Sequence, residues 1–157
     1  METPELELLA SLLRDERVLS LGVLVEGAPL VGVLPFLAAP DLGSMVVHST
    51  RLARHSRGLV PGAPCSGAIH RPDCTADDPL RLPRLLFEGR VEEVGEEEAA
   101  ALAPLWVARF ASAAMTVQLG DFGFHRLRIE SGRLVAGFGR AFGVGPAVLA
   151  EAAALGR

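Results

Sequence analysis

The sequence predicts a mainly β (α+β) domain built on an antiparallel barrel of six or seven strands with helical excursions. Short runs rich in valine and leucine recur along the chain and are bounded by glycine, proline and aspartate. Several runs follow each other as hairpins, which argues against a parallel sheet of βαβ units. With 157 residues, half of them hydrophobic, the chain is long enough to bury one core. We therefore predict a single domain over residues 1–157, with an N-terminal helix in residues 1–15 and a tail helix in residues 143–157.

The first third of the chain predicts a helix, a hairpin and a third strand. Leucines on one face of residues 4–14 are typical of an amphipathic helix. Two β-rich runs in residues 17–38 flank Glu26-Gly27-Ala28-Pro29, a turn signal that predicts a hairpin. Pro35 in the second run indicates an edge, a bulge or a point where strand pairing stops. The third strand is predicted at Ser44–His48.

The middle of the chain predicts a helix between two strands. Residues 50–59 are expected to be helical, with Leu52 and Leu59 on one face that packs on the core. The strands that follow are predicted at residues 65–71 and at Arg84–Val94.

The last third predicts a long helix, a hairpin and the tail helix. Residues 95–118 are alanine-rich and begin with glutamates, which favour a helix start, and Pro104 is expected to kink or split this helix. Residues 121–141 predict a hairpin that turns at Glu130-Ser131-Gly132. The tail helix is predicted at Pro146–Leu155.

Charge and hydropathy exclude several function classes. The net charge of −4 argues against broad nucleic-acid binding, and lysine and tyrosine are absent. No charge-free run reaches the roughly 20 residues of a membrane-spanning helix. The acidic N-terminus lacks the basic start of a signal peptide, so we expect a cytoplasmic protein without nucleic-acid or membrane partners. The positive mean hydropathy indicates a buried subunit interface.

The cysteines and carboxylates show no spacing typical of a metal site. Cys65 and Cys74 form no CxxC pair and are interpreted as reduced thiols, with a regulatory disulfide as the alternative. Asp73, Asp77 and Asp78 lie in a proline-containing loop, which favours a solvated surface over a cation site. We predict no metal site.

Three arginines, Arg51, Arg54 and Arg57, recur at every third position after a predicted strand end. A strand that ends at Ser49-Thr50 and opens directly into a helix presents free N–H groups and hydroxyls to an anion. An arginine near the helix start adds charge-assisted hydrogen bonds to a phosphate. The segment therefore predicts either a phosphate site or a solvated helix face.

The other histidines and the large aromatic residues favour structural roles. His48, His70 and His125 each lie in or beside a predicted strand and are interpreted as packed or surface histidines. Trp106 and Phe110 share one face of the long helix and are expected to face the core or an interface. No nucleophile elbow or carboxylate pair is found, so no residue is assigned as catalytic.

Two segments carry a resemblance to a known family. The first, "S-x-L-A-x-H-[TS]-x-N-L"-like, is matched by Ser49, Leu52, Ala53, His55, Ser56 and Leu59. The second, "DF-x-[FL]-x-R-L…G-R-x-V-x-GFG-[RK]-A", is matched by Asp121, Phe122, Phe124, Arg126, Leu127, Gly132, Arg133, Val135, Gly137, Phe138, Gly139, Arg140 and Ala141. Together they resemble the FMN-binding split-barrel proteins related to pyridoxamine 5′-phosphate oxidase, on the branch that contains haem-utilisation proteins. The resemblance covers residues 15–142.

The resemblance implies a split barrel, a homodimer and one FMN in each of two clefts at the subunit interface. The residues that it places around the FMN phosphate are Ser49, Thr50, Arg54 and His55. The backbone that it places beside the isoalloxazine ring belongs to Val33, Leu34, Pro35 and Phe36. Arg140 is expected at the same cleft, across the dimer, with a tight glycine-rich strand end as the alternative reading of its segment.

The chain also departs from the family pattern at two points. Gly58 stands where asparagine is usual, and Phe110-Ala111-Ser112-Ala113 replaces an "HP-x-A" segment. These departures leave two alternatives open, retained FMN binding and weakened or lost FMN binding.

The resemblance implies an FMN-dependent oxidoreductase that acts on an unidentified small molecule. The alternatives are a non-catalytic flavin or haem carrier or sensor, and a haem-degrading oxygenase. FMN is the expected cofactor, and deazaflavin and haem are the other candidates. In each case the bound group performs the chemistry, while the polypeptide holds it and shapes the substrate side.

Overall fold

The computed structural model describes residues 1–74 and 78–156, in which seven strands form one antiparallel sheet. The strands are β1 (Val18–Val25), β2 (Ala28–Ala38), β3 (Ser44–Thr50), β4 (Pro64–His70), β5 (Arg84–Glu92), β6 (Phe122–Gly137) and β7 (Arg140–Val144). The α-helices of the described residues are α1 (Thr3–Asp15), α2 (Glu96–Arg109) and α3 (Pro146–Ala154). The predicted α+β class and the antiparallel barrel are confirmed.

The sheet closes into a barrel because β6 is shared. One edge of β6 pairs with β5, while the other pairs first with β3 and then with β7. The register places His125 opposite Val47 and His48 opposite Phe124. Because side chains alternate between faces, His125 lies on the core side with Val47, and His48 lies on the opposite face with Phe124.

The first hairpin forms at a two-residue turn. Val25 pairs with Ala28, and Glu26 and Gly27 have φ of 54° and 78°. Two positive φ values match the twist of a hairpin. The predicted turn is therefore confirmed, with two residues in the loop instead of four. Pro35 pairs with Val18 on β1, whereas Phe36 next to it pairs with Val47 on β3. The proline therefore marks the point where the strand pairing of β2 passes from β1 to β3.

The barrel core is closed at one end by α1 and α3. The fully buried α1 leucines are Leu9, Leu12 and Leu13, and α3 adds Leu149 and Ala152. Burial of each leucine contributes about 1.5–3 kcal/mol. The two predicted terminal helices are thus confirmed as parts of the core.

The hairpin predicted at Glu130-Ser131-Gly132 is wrong, because β6 runs through this segment without a turn. The β5–β6 register shifts between Glu88 and Gly89, which makes the segment a bulge. A Cβ at Gly89 would lie 1.8 Å from the carbonyl oxygen of Arg128, so the strands meet here backbone to backbone. The observed turn lies at Phe138-Gly139, where Gly139 has a φ of 73°.

The split predicted at Pro104 is also wrong, because α2 continues unbroken across the proline to Arg109. Proline removes one backbone N–H, which leaves the carbonyl of Ala100 without its helical partner. Both residues are exposed, so water satisfies that carbonyl. The residues after Arg109 form 3-10 turns at Ala111–Ala114 and Thr116–Gln118, although helix was predicted as far as residue 118.

The helix predicted over residues 50–59 is replaced by a turn and a short 3-10 helix, Arg54–Gly58. The Thr50 hydroxyl accepts a hydrogen bond from the Leu52 N–H at 3.2 Å. Such side-chain bonds compete with the helical pattern and stabilise the turn. Leu59 is buried as predicted, but Leu52 is 85% exposed, so its predicted packing on the core is wrong.

Candidate functional site

A closed hydrogen-bond network joins the end of β3 to the 3-10 helix after it. The Oγ of Ser56 donates to the carbonyl oxygen of Thr50 at 2.7 Å. Ser49 Oγ lies 2.6 Å from Ser56 Oγ and 2.9 Å from His55 Nε2. Since the Ser56 proton is already used, Ser49 donates to Ser56, and His55 Nε2–H donates to Ser49. The Ser49 hydroxyl therefore has no proton left for a ligand.

Thr50 and the backbone next to it are also engaged. Thr50 Oγ1 donates to Asp121 Oδ2 at 2.7 Å, and the Arg51 N–H donates to the carbonyl oxygen of Asp121 at 2.8 Å. The Arg51 guanidinium bonds to the carbonyl oxygen of Gly120. The Thr50 hydroxyl and the Arg51 N–H are therefore not free for an anion, and the Asp121 carboxylate adds a negative charge beside them.

Two of the predicted cations remain available at this end of β3. Arg54 and Arg57 are exposed and form no hydrogen bond or ion pair with another described residue. Their exposure agrees with the solvated surface that was predicted as the alternative to a phosphate site. It also leaves both guanidinium groups free for an anion that approaches from solvent.

His55 fills the space between β2 and this loop. A Cβ at Gly32 would lie 2.9 Å from both Cγ and Nδ1 of the His55 ring. Among the described strands, β3 pairs with β2 only from Phe36 onward, so the edge of β2 before it faces His55 instead of a strand. Gly32 is therefore a close-approach site that admits the ring.

Gly58, where the family pattern has asparagine, packs against β1. A Cβ here would lie 2.7 Å from Cβ of Val23 and 2.8 Å from the carbonyl oxygen of Leu24. The 3-10 helix thus rests on β1 at a distance that only glycine allows.

On the other face of β3, an aromatic cavity of about 550 Å³ opens between β2, β3, α2 and the 3-10 turns. Its walls are formed by Arg17, Val18, Pro35, His48, Trp106, Phe110, Ser112, Ala113, Thr116 and Phe122. The volume lies in the range of small-molecule sites, and few polar groups among apolar walls are typical of them. We call this the aromatic cavity.

His48 is the buried polar group of the aromatic cavity. Its ring is 8% exposed, and its centroid lies 4.4 Å from that of Phe124, 5.1 Å from Phe122 and 5.8 Å from Trp106. It forms no hydrogen bond with another described residue. Its ring nitrogens are not among the fully buried polar atoms of the described residues, so they stay accessible to a ligand or water in the cavity that the ring lines.

Arg17 supplies the positive charge at the rim of the aromatic cavity. Its guanidinium carbon lies 5.1 Å from the centroid of Phe110 and its Nη2 donates to the carbonyl oxygen of Arg109. Arg109 in turn donates to the carbonyl oxygen of Glu16. These bonds fix the end of α2 against the start of β1, with one cation facing the cavity.

Three histidines near the two regions are held neutral. Burial lowers the pKa of His48, His55 and His125 from 6.5. His125 lowers the pKa of His48 further, and His55 does the same to His125. A neutral imidazole can accept a hydrogen bond or bind a metal.

The structure brings together some of the predicted site residues and separates others. Ser49, Thr50 and His55 lie in one network, and Arg54 lies beside it in solvent. Of the predicted β2 segment, Pro35 lines the aromatic cavity and Val33 is exposed, while the side chains of Leu34 and Phe36 point into the core. Within the single chain Arg140 pairs with the buried carboxylate of Glu5 on α1 and is not in contact with this network.

Sequence reasoning missed the aromatic cavity. His48, Trp106 and Phe110 are packed as predicted, yet they also form a ligand-sized space together with Arg17 and Phe122. The alternation of His48 and Phe124 with core residues on their strands was the available signal for this cavity. It places both aromatic rings on the same face of the sheet, opposite the core.

The described residues also bear on the predicted absence of a metal site. No group of metal-ligating side chains is found among residues 1–74 and 78–156, and Asp77 lies outside them. Cys65 and Cys74 are free thiols, and burial together with the charge of Glu130 raises the pKa of Cys65 to about 11. Within the same described ranges, the helices are too short or too polar to cross a bilayer.

Comparisons with known proteins give the family. A haem-binding protein from Mycobacterium smegmatis superposes with a TM-score of 0.80 at 27% identity, over 96% of this chain and 62% of that one. HutZ, the haem storage protein of Vibrio cholerae, superposes with a TM-score of 0.64 at 25% identity, over 82% and 89% of the two chains. The chain belongs to the split-barrel family related to pyridoxamine 5′-phosphate oxidase.

The likeness to other split-barrel proteins concerns the fold alone. An FAD- and haem-binding protein from Mycobacterium smegmatis has a TM-score of 0.58 at 16% identity, over 92% of this chain and 82% of that one. No family model matches the sequence, and no curated protein matches it. The match to the haem-binding protein covers 96% of this chain but only 62% of that protein, so this chain spans about three fifths of its length.

Proposed function

We propose that this split-barrel protein binds haem in the aromatic cavity. The observation that carries the proposal is the combination of aromatic walls, one buried imidazole without a hydrogen bond, and one cation at the rim. Flat apolar walls suit a tetrapyrrole, and the Arg17 guanidinium suits a propionate. The names of two solved relatives, a haem-binding protein and a haem storage protein, support the same ligand.

The residues of the aromatic cavity fit this group better than they fit a phosphate. Trp106, Phe110 and Phe122 provide the walls, Arg17 provides the charge, and His48 provides a nitrogen. Bound haem supplies an iron centre that takes an axial ligand and exchanges one electron. Trp106, Phe110 and Phe122 would orient the ring and exclude water from the part of it that they cover.

We also propose that the protein is a homodimer, with the partner covering the outer face of the sheet. Val31 and Val33 on β2 are 69% and 68% exposed, and Leu86 on β5 is 42% exposed. Val31 and Leu86 line a groove of about 710 Å³ that continues to Ser20, two residues from Val18 in the aromatic cavity. A second copy on this face would place the cavity at the edge of the interface.

The experiment is a haemin titration of the purified full chain, followed at the Soret band. We expect saturation near one equivalent per chain. Ala113→Trp fills the aromatic cavity and is expected to abolish the band, whereas Ala101→Trp, on the exposed part of α2, is the matched control. Equal haemin affinity of both variants would place the haem elsewhere.

Turnover separates the haem functions. A carrier or sensor keeps the Soret band when a reductant and oxygen are added. A haem-degrading oxygenase loses it and releases iron, which a ferrous chelator detects.

The second candidate is an FMN-dependent oxidoreductase that acts on a small molecule. Before Phe36, the edge of β2 that faces away from β1 has no strand partner among the described residues. Pro35 in this segment also lines the aromatic cavity. Both features support a flavin ring beside the β2 backbone. Arg54 and Arg57 are free to bind a phosphate, although the Ser49 network must first open.

The flavin candidate has its own test. The absorption spectrum of the protein is recorded after FMN or a deazaflavin is added and the excess is removed, and a nicotinamide donor is then supplied. If the phosphate lies as proposed, Ser49→Ala with Arg54→Ala lowers FMN affinity at least tenfold. A change within twofold would contradict that placement. A cytoplasmic location stays a prediction.

A further inference from the structure

The four histidines of the chain differ in whether their ring nitrogens are already used. Nε2 of His55 bonds to Ser49, and its Nδ1 lies against Gly32. His125 shares a hydrogen bond with the backbone of Leu59. His70 is exposed and its Nδ1 lies 2.8 Å from the carbonyl oxygen of Arg71. His48 alone is buried and forms no hydrogen bond with a described residue.

The surroundings of His48 hold its ring in one place. Phe122 and Phe124 lie against it from β6, and Trp106 reaches it from α2. The ring cannot turn away without leaving this packing, and it lines the aromatic cavity. A nitrogen fixed by its neighbours in this way is preorganised for a ligand.

The charged side chains of this end of the barrel have partners elsewhere. The carboxylates of the region, Asp121 and Glu16, are bound to Thr50 and Arg71 respectively. The cation at the rim, Arg17, lies over Phe110. The lone pair of the imidazole is therefore available to a Lewis acid in the cavity.

We infer that His48 is the protein ligand of the haem iron in the aromatic cavity, an assignment that rests on the proposed haem-binding function. The imidazole nitrogen donates its lone pair to the iron and displaces the water or chloride that haemin carries. The oxidation state of the iron does not change. Placement on a barrel strand distinguishes this ligand from one supplied by a mobile loop or a terminus.

The test uses the full chain loaded with haemin and then reduced, and it reads the iron–histidine stretching band by resonance Raman spectroscopy. We expect the band in the parent. His48→Phe keeps the aromatic packing but has no ring nitrogen, and it is expected to lose the band, shift the Soret maximum and bind haemin at least tenfold more weakly. His70→Phe is the matched control and should match the parent.

A second variant guards against a folding defect. His48→Gly leaves a space beside the iron, and imidazole added to it is expected to restore the band. A parent that binds no haemin would overturn the proposed function and this inference together. Haemin bound by His48→Phe with the parent's spectrum, or loss of the band in His55→Phe instead, would overturn the inference alone.

Discussion

Nε2 of His55 lies 2.9 Å from Oγ of Ser49, and this bond fixes the loop after β3 to the last buried residue of that strand. Because Ser49 also bonds to Ser56 at 2.6 Å, one hydroxyl serves two partners. Ser49 itself is 3% exposed, so water cannot replace it without a change in packing. The network therefore stabilises the fold in the absence of any ligand.

We predict that Ser49→Ala lowers the free energy of unfolding by about 1–3 kcal/mol, because the half-buried His55 Nε2 and Ser56 Oγ each lose a hydrogen-bond partner. Urea unfolding followed by circular dichroism measures the change. Ser131→Ala, on the exposed outer face, is the control and should stay within about 0.5 kcal/mol of the parent. Equal stability of both variants would mean that the Ser49 network contributes nothing.

A second prediction concerns the outer face of the sheet. Val33→Glu puts a charge into the proposed subunit interface and is expected to convert the dimer to a monomer, since a buried unpaired charge is strongly unfavourable. Light scattering after gel filtration gives the mass. Leu105→Glu, 58% exposed on α2, should leave the dimer intact. A monomeric parent, or a dimeric Val33→Glu, would refute the placement of the interface.

If the aromatic cavity lies at the edge of the subunit interface, loss of the dimer should also lower the affinity for haemin or FMN. The same Val33→Glu protein is titrated with each ligand to test this. Full affinity in a clean monomer would contradict a shared cleft.

The sequence predicted the elements that depend on local patterns. The leucine face of α1 and the Glu26-Gly27 turn are local signals, and the structure confirms both. It failed where tertiary contacts override them. Glu130-Ser131-Gly132 has turn chemistry, yet β5 pairs with β6 along this segment, while β3 pairs with its other edge before it and β7 from Gly132 onward, so it stays extended.

The candidate site was predicted only in part, for a similar reason. Ser49 and His55 are close in sequence, so their motif could be recognised from a resemblance. The aromatic cavity joins Arg17, His48 and Phe110, which are far apart in the sequence and meet only through barrel closure and the docking of α2. The hydrophobic periodicity of a single segment cannot predict contacts between residues so far apart in the sequence.

A third prediction tests the bulge between β5 and β6. Gly89→Ala places a Cβ on the backbone of Arg128, and neither strand can move away without losing its ladder bonds. We expect a loss of at least about 3 kcal/mol or insoluble protein. Gly143→Ala, on β7 with no atom within 4 Å of its Cβ, is the matched control and should fold normally. Normal stability of Gly89→Ala would show that the β5–β6 contact is looser than described.

The last prediction concerns the pH dependence of stability. Burial lowers the pKa of His48, His55 and His125 in the folded state below 6.5, so the unfolded chain binds more protons in the window under that value. The free energy of unfolding should therefore be highest above pH 7 and fall as the pH decreases through 6.5. Urea unfolding between pH 5.5 and pH 7.5, at about half-unit steps, measures the slope. His48→Phe should flatten it, whereas replacement of exposed His70 by phenylalanine should not; a slope of opposite sign would mean that these rings gain partners for their charged form.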